Sequence, residues 1–204
     1  MDEEKLITMA KEGDLDAFNR LVLSYQNFVY SITFRMLYAE DTAADAAQEA
    51  FILAFRKIRT HRGGSFKAWL GRIATNVCLD ELRRYKRHPE DSLEETMELS
   101  EGFDASLPGP MVEGKPGPEG ALEQNELAQA IENCIRLLPD EFRAVIVLVD
   151  VQGFGYNESS TILKRSVGTI KSRLARARAR MRDCLQHSRE LLPDAFRLQD
   201  EVLL

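Results

Sequence analysis

The sequence lacks several features that mark common classes of protein. No run of 18 apolar residues is present, so no membrane-spanning helix is predicted. The first six residues, MDEEKL, are acidic and not basic-then-apolar, so we expect no signal peptide and a cytoplasmic location. No glycine-rich phosphate loop or nucleophile–base pair is visible, and the three histidines have no metal-ligand spacing. We therefore expect neither an enzyme nor a bound cofactor or metal.

Cysteine is also scarce. The three cysteines, Cys78, Cys134 and Cys184, lie far apart in the chain and form no CxxC motif. Each falls within a helical pattern of residues, where cysteine behaves as a small apolar side chain. The expectation from the sequence is therefore three buried, reduced thiols.

Charge is arranged in blocks, although the net charge is only −6 over 204 residues. Residues 56–87 and 164–189 each carry a net charge of +8, whereas residues 88–120 carry −8. The chain is long enough for one or two domains with a real core. Two separate basic blocks, each preceded by an acidic one, are typical of a protein that contacts DNA in two places and a protein partner elsewhere.

The second basic block follows the pattern of two helices joined by a tight turn. The first helix is predicted from about Tyr156 to Leu163, and the second from near Ser166 to beyond Met181. In the second helix, apolar residues recur at spacings of three and four, and the opposite side is basic. This layout predicts a DNA-reading helix-turn-helix in which Ser166 is the N-cap. The alternative is a merely solvated helix face, against which the nearly uniform sign of the charge argues.

The phrases VGTIKSRLARARARM and LPDEFRAVIVLVDVQGFGYNESSTIL resemble domain four of the extracytoplasmic-function (ECF) sigma factors of bacterial RNA polymerase. The family usually has an apolar residue, alanine, glycine and proline where this chain has Ser159, Ser160, Lys164 and Ser166. The first helix is therefore more polar than the family pattern. An unpaired hydroxyl at Ser159 would destabilise it.

A helix inserted by its N-terminal half presents its early exposed residues to base edges and its later ones to phosphates. The candidate readers of the minus-thirty-five element are Ser166, Thr169, Lys171, Ser172, Arg173 and Arg176. Phosphate or solvent is expected for Arg178, Arg180 and Arg182, which lie further along the helix.

A further resemblance, to domain two of the same family, begins with GDLDAFNRLVLSYQNFVY. DAAQEAFILAF resembles the segment that docks on the clamp helices of the polymerase β′ subunit. On this predicted helix, about residues 43–59, the inward side comprises Ala47, Ala50, Phe51, Ala54, Phe55 and Ile58. The polymerase-binding candidates on the other face are Asp45, Gln48, Glu49 and Ile52. An ordinary solvated face is the alternative.

FKAWLGRIATNVCLDELRR resembles the segment that melts and reads the minus-ten promoter element. The resemblance implies that the loop at residues 61–65 and Asn76 line a pocket for one flipped base, while basic groups hold phosphates. The candidate residues are His61, Arg62, Gly63, Gly64, Ser65, Trp69, Arg72, Asn76, Arg83 and Arg84. The alternatives are a core role for Trp69 and a plain surface amide for Asn76.

The predicted architecture is all-α, with two small helical domains and a flexible acidic linker. Domain two spans residues 1–87, the proline- and glycine-rich linker 88–120, domain four 121–187, and a C-terminal tail 188–204. The apolar run VIVLV could be a strand, but its flanks and length favour a buried helix.

The resemblance implies a sigma factor whose partners are core RNA polymerase (β′ clamp helices and β flap), promoter DNA and an anti-sigma factor. One rival hypothesis is a stand-alone helix-turn-helix regulator, which would dimerise and bind duplex DNA alone. A second rival is an anti-sigma or adaptor protein that binds polymerase but not DNA. The +8 block at residues 164–189 argues against that second rival.

Overall fold

The computed structural model describes residues 2–87 and 118–186, with side chains in the second range described from residue 126 onward. All regular elements of these two ranges are helical, which confirms the all-α prediction. The α-helices are α1 (Glu3–Glu12), α2 (Leu15–Leu37), α3 (Glu40–Lys57), α4 (Phe66–Arg87), α5 (Pro118–Arg136), α6 (Asp140–Ile146), α7 (Tyr156–Leu163) and α8 (Val167–Leu185). The predicted tail at 188–204, and the predicted linker as far as residue 117, lie outside the described residues.

Helices α1 to α4 form an N-terminal unit built around α2. Gly13, with φ of 104°, ends α1 in the left-handed conformation that glycine adopts without a Cβ clash. The Asp14 carboxylate then caps α2 by accepting a hydrogen bond of 3.0 Å from the Ala17 amide. α2 buries Leu21, Val29 and Ile32 among others against α1, α3 and α4.

Small residues determine how closely α3 approaches its neighbours. The side of α3 that faces the core buries Ala43, Ala46, Ala47, Ala50 and Ala54. Because alanine projects only one carbon, the α3 backbone can pack close to α2 and α4. The opposite side of α3 is thereby fixed toward solvent, which matters for the polymerase-binding prediction.

Helices α5 to α8 form the C-terminal unit. The predicted VIVLV helix is present, but its regular α-helical part ends at Ile146 and continues as a π-helical turn, Val147–Val151. Phe142, Val145 and Leu148 from this segment are buried, as are Ile170 and Leu174 from α8. α6 and α8 make the main contact within the unit, with α7 packed beside α8.

The expectation of three reduced thiols is wrong for two of them. Cys134 on α5 and Cys184 on α8 form a disulfide, although 50 positions separate them in sequence. Their Cα atoms lie 5.8 Å apart, which is a typical separation for a disulfide. The packing of α5 against α8 brings the two residues together, and no local pattern could report this. Cys78 is the buried free cysteine, as predicted.

The substitutions that distinguish α7 from the family pattern have visible consequences. The Ser159 side chain is completely buried, and its hydroxyl has no hydrogen-bond partner among the described residues. Lys164 ends α7 with φ of 52° and ψ of 47°, a left-handed conformation that costs a non-glycine residue about 1 kcal/mol. Both residues therefore weaken the helix that supports α8.

We expect Ser159→Ala to raise the free energy of unfolding by about 1 kcal/mol, because the variant removes a buried, unsatisfied hydroxyl. Chemical denaturation of the full chain measures the change. Ser160→Ala is the matched control, since the Ser160 hydroxyl donates a 2.5 Å hydrogen bond to the Arg165 carbonyl and its loss should not stabilise. Equal effects of the two substitutions would contradict this interpretation.

Candidate nucleic-acid interface

The helix-turn-helix begins and ends where the sequence predicts. Ser166 is the N-cap of α8, and its hydroxyl accepts a 3.1 Å hydrogen bond from the Thr169 amide. The Ser166 and Thr169 hydroxyls also lie 2.8 Å apart. The side of α8 that carries Ile170, Leu174 and Ala177 is buried against the rest of the C-terminal unit, so the opposite side of the helix faces outward.

The early outward side of α8 presents Lys171, Ser172 and Arg176, which are all exposed. The Lys171 ammonium lies 5.6 Å from the centroid of the Tyr156 ring, a cation–π geometry that orients it at the start of α7. Arg176 has no carboxylate partner among the described residues and is free to reach a base or a phosphate. These three side chains form the candidate reading face.

Other arginines of α8 are held by the protein itself. Arg173, a predicted reader, forms a 2.5 Å ion pair with Glu141 on α6 and is only 22 % exposed. Arg178 binds both carboxylate oxygens of Asp150, at 2.6 and 3.0 Å, and this bond raises the pKa of Arg178. The structure therefore brings Arg173 against its own domain, away from the reading face.

The loop at residues 61–65 joins a 3₁₀ turn, Ile58–Thr60, to α4. Gly63 and Gly64 have φ of 90° and 80°, so this tight turn depends on the absence of a Cβ. The Ser65 hydroxyl accepts a 3.1 Å hydrogen bond from the Ala68 amide at the start of α4. Arg62, Gly63, Gly64 and Ser65 are exposed, whereas His61 is 5 % exposed and lies beneath the loop.

His61 belongs to an aromatic cluster that supports this loop. Its ring packs edge-on against Phe66 and Trp69, with centroid separations of 5.6 and 5.4 Å. Trp69 is half-buried, which supports the alternative of a core role for that residue. Burial, followed by the charge of Lys11, lowers the pKa of His61, and neither ring nitrogen has a hydrogen-bond partner among the described residues.

This lowered pKa gives a testable pH dependence. As pH falls below about 6.5, His61 takes up a proton in the unfolded chain but resists protonation in the folded chain. The free energy of unfolding therefore decreases as pH falls. The loss cannot exceed about 1.4 kcal/mol per pH unit for one proton. We expect His61→Phe to reduce the slope of unfolding free energy between pH 7 and pH 5, measured in urea. An unchanged slope would show that His61 does not titrate differently on folding.

The remaining minus-ten candidates lie along α4. Arg72, Arg83 and Arg84 are exposed, and the last two pair with Asp80 and Glu81 on their own helix. Asn76 is half-buried, 11 residues after Ser65, or about 16 Å along the helix axis. It lines a cavity of about 390 Å³ together with Leu79, Arg83 and Leu163. The structure therefore does not bring Asn76 next to the loop at 61–65.

The predicted polymerase-binding residues share one exposed face of α3. Asp45, Gln48 and Glu49 are exposed, and Ile52 retains 44 % of its surface. Phe55 was expected to face inward but is 37 % exposed, with its ring 5.0 Å from that of Phe18. Phe55 follows Ile52 by one helical turn and extends the apolar centre of this face. The spacing of three residues between Ile52 and Phe55 is the sequence pattern that could have placed Phe55 on this face.

Comparisons with known proteins show which chains this one is similar to. The family model for sigma-70 region 2 matches residues 21–88, and that for region 4 of sigma-70 matches residues 128–181. The chain is 34 % identical to the RNA polymerase sigma-H factor of Pseudomonas aeruginosa, covering 90 % of this chain and 94 % of the relative. It is 36 % identical to the ECF RNA polymerase sigma factor SigW of Bacillus subtilis, covering 90 % and 96 %.

A solved structure has a similar fold. The sigma factor RpoE of Bartonella quintana, crystallised with the anti-sigma factor NepR, superposes with a TM-score of 0.60 at 24 % identity. The match covers 84 % of this chain and 98 % of that one. No helix within residues 2–87 or 118–186 combines the length and apolar character that a membrane crossing requires.

Proposed function

Because the chain belongs to the extracytoplasmic-function (ECF) sigma factor family of bacterial RNA polymerase, we propose that it reads a promoter with two surfaces and contacts the polymerase with a third. The minus-thirty-five surface is the face formed by Lys171, Ser172 and Arg176. The minus-ten surface combines the loop at residues 61–65 with the exposed basic side of α4. The polymerase surface is the α3 face centred on Ile52.

The observation that carries this proposal is the composition of the outward face of α8. Its early residues are polar, exposed and positive, while the acidic partners Glu141 and Asp150 engage Arg173 and Arg178 elsewhere on the helix. Lysine and arginine side chains without a carboxylate partner can reach guanine acceptors in the major groove. The first turn of α8, with Gly168 and Thr169, leaves room for that approach.

On the polymerase side, the α3 face has an apolar centre, Ile52 and Phe55, with Asp45, Gln48 and Glu49 beside it. An apolar centre with a polar rim is typical of a protein–protein interface. We propose that this face docks on the β′ clamp helices and that the C-terminal unit contacts the β flap. The chain would then act as a non-enzymatic, cytoplasmic subunit, with an anti-sigma factor as an additional partner.

Reversing two charges on the α3 face tests the polymerase contact. We expect Asp45→Lys/Glu49→Lys to weaken binding to core polymerase by at least about tenfold, which corresponds to about 1.4 kcal/mol. The reason is that the reversed charges lose their polar partners, and charges of like sign that meet at an interface can cost several kcal/mol. Fluorescence titration of the labelled chain with core polymerase measures the affinity, and circular dichroism checks the fold.

Glu4→Lys/Glu12→Lys is the matched control, because both residues are exposed on α1 and the change in charge is the same. The control should bind core polymerase as the unaltered chain does. Equal affinities for the α3 variant and the control would place the polymerase contact elsewhere.

A further inference from the structure

The Cys134–Cys184 disulfide fastens the end of α8 to the end of α5. Each cysteine lies in the last turn of its helix, so the bond joins two helix ends. The fully buried side chains of α8 end at Ala177, and none of the described residues 178–185 is fully buried. Met181 packs against the core but is only partly buried. The disulfide is therefore the strongest link that holds the last two turns of α8 in place.

The other contacts of these two turns are exposed to water. The Arg178 side chain, which binds Asp150, retains 55 % of its surface, and ion pairs this exposed contribute little to stability. The Arg180 guanidinium lies 5.2 Å from the centroid of the Phe142 ring, a cation–π contact of an exposed side chain. Opening of the disulfide leaves residues 178–185 with weak contacts, so we expect these turns to fray.

The same two turns carry cations that serve the proposed reading of the minus-thirty-five element. Arg180 and Arg182 are exposed there, where DNA phosphates can meet them. Each phosphate contact contributes about 0.9 to the slope of log affinity against log salt concentration. The early reading face lies beside the buried residues of α8 and keeps its place. Fraying of residues 178–185 should therefore lower affinity for DNA without altering which bases are preferred.

One cysteine of the pair is open to solvent. Cys184 is partly exposed, whereas Cys134 is 4 % exposed. In the cytoplasmic location that we propose, thiol pools keep most protein disulfides reduced. Disulfides that do form there are usually transient and serve catalysis or redox sensing. Cys78, the third cysteine, is buried in the N-terminal unit and does not compete for either partner.

We propose that Cys184, together with Cys134, is a redox-modification site through which dithiols and hydroperoxides set how strongly α8 holds promoter DNA. The disulfide form holds DNA, and the dithiol form lets the last two turns of α8 fray. This inference rests on the proposed role of α8 as the reader of the minus-thirty-five element. The unit around the bond has other weak points, the unpaired Ser159 hydroxyl and the left-handed Lys164. Loss of a cross-link therefore acts on a unit that is already weakened.

The disulfide opens by thiol–disulfide exchange with a dithiol reductant. A thiolate of the reductant attacks the Cys184 sulfur, the S–S bond breaks, and its electron pair leaves with the Cys134 sulfur, which takes up a proton. The second thiolate of the reductant attacks the reductant's own sulfur in the mixed disulfide and releases Cys184, which takes up another proton. The protein gains two electrons and two protons, and the dithiol becomes a disulfide.

Hydrogen peroxide, the simplest hydroperoxide, closes the bond again. The Cys184 thiolate attacks one peroxide oxygen, the O–O bond breaks, and a sulfenic acid and a water molecule form. The Cys134 thiol then attacks the sulfenic sulfur, the S–S bond forms, and a second water molecule leaves. Two electrons pass from the cysteines to the peroxide. The packing of α5 against α8 brings the two sulfurs together for this step.

Hydrogen exchange of the full chain tests the site without DNA. Reduction with dithiothreitol should raise the exchange rates of the amides of residues 178–185 by about tenfold or more, because these turns then open locally. The amides of α2 and α3 should exchange at the same rate in both states and serve as the internal reference. A series of glutathione buffers, from reducing to oxidising, should convert the two forms reversibly.

Binding of the holoenzyme to a selected promoter gives the second readout. The chain is oxidised or reduced beforehand and desalted, and core polymerase is kept in one anaerobic buffer. Reduction should weaken promoter binding about tenfold and lower the slope of log affinity against log salt concentration by about two, one for each arginine. Cys134→Ser/Cys184→Ser should bind as the reduced chain does after either treatment, whereas Cys78→Ser should respond as the unaltered chain does.

Faster exchange of residues 178–185 and weaker promoter binding on reduction, without either response in Cys134→Ser/Cys184→Ser, would support the proposal. Equal exchange and equal binding in the two states would overturn it, and so would a disulfide that no glutathione buffer opens. If the serine variant loses its helical signal, the reduced and oxidised forms of the unaltered chain decide by the same two measurements.

Arg176→Ala in the oxidised chain separates this proposal from the proposed function. If Arg176→Ala changes promoter preference while reduction leaves promoter binding unchanged, the redox site is overturned and the proposed function stands. If neither has any effect on the promoter, α8 is not the reader and the proposed function fails with the inference that rests on it.

Discussion

Reduction of the Cys134–Cys184 disulfide is expected to lower the free energy of unfolding by about 4 kcal/mol. The bond joins residues 50 positions apart, and a cross-link closing a loop of about that length removes this much conformational entropy from the unfolded chain. The bond also ties the end of α8 to α5, so the helix-turn-helix should account for most of the lost stability. Guanidinium titration of the full chain with and without dithiothreitol measures the effect.

Two variants separate the disulfide from other effects of the reductant. Cys134→Ser/Cys184→Ser should unfold at the same guanidinium concentration as the reduced chain, whether or not dithiothreitol is present. Cys78→Ser should lose as much stability with dithiothreitol as the unaltered chain does. Cys78 is free, buried and unreactive, and burial raises the pKa of its thiol to about 12. Detection of three free thiols in the unreduced, unfolded chain would rule out the disulfide.

Loss of either of two side chains on α8 is expected to change which promoters are used. Lys171→Ala and Arg176→Ala should each relax the preference at one position of the minus-thirty-five element by about 1–3 kcal/mol, or roughly 5- to 150-fold. The reason is that both side chains lie exposed on the early outward face of α8. Sequencing of promoters selected from a random pool by the holoenzyme measures the preference at every position.

Arg182→Ala is the matched control for this experiment. Arg182 is exposed near the end of α8, with Asp183 at 3.8 Å, and is expected to meet phosphate or solvent. Loss of Arg182 should weaken binding to all promoter sequences alike, without changing the selected sequence. It should also reduce the slope of log affinity against log salt concentration by about one. If Lys171→Ala and Arg176→Ala also leave the selected sequence unchanged, α8 is not the reader.

Features determined by neighbouring residues could be predicted from the sequence. Tyr156 to Leu163 is both the predicted and the observed extent of α7, and Ser166 is the observed cap of α8. The resemblance also identified Ser159 as a hydroxyl where the family usually has an apolar residue, and Ser159 is buried. Caps and helical periodicity act over one or two turns, so a single sequence carries this information.

Features determined by tertiary approach could not be predicted. Pairing of Cys134 with Cys184 depends on the packing of α5 against α8. Arg35 reads as one basic residue on a helix, and only the folded chain shows that Glu132 neutralises it from another unit. Arg173 fits the pattern of a base reader, yet Glu141 on α6 engages it. In each case the partner is far away in sequence, and charge or periodicity alone does not identify it.

The most direct test of the account is run-off transcription with purified core polymerase, the full chain and a pool of promoter sequences. Core polymerase alone should start at none of them, and addition of the chain should give discrete transcripts from a subset that shares two elements about 25 base pairs apart. Transcription unchanged by the chain, together with tight binding of the chain alone to duplex DNA, would instead indicate a stand-alone helix-turn-helix regulator and contradict the account.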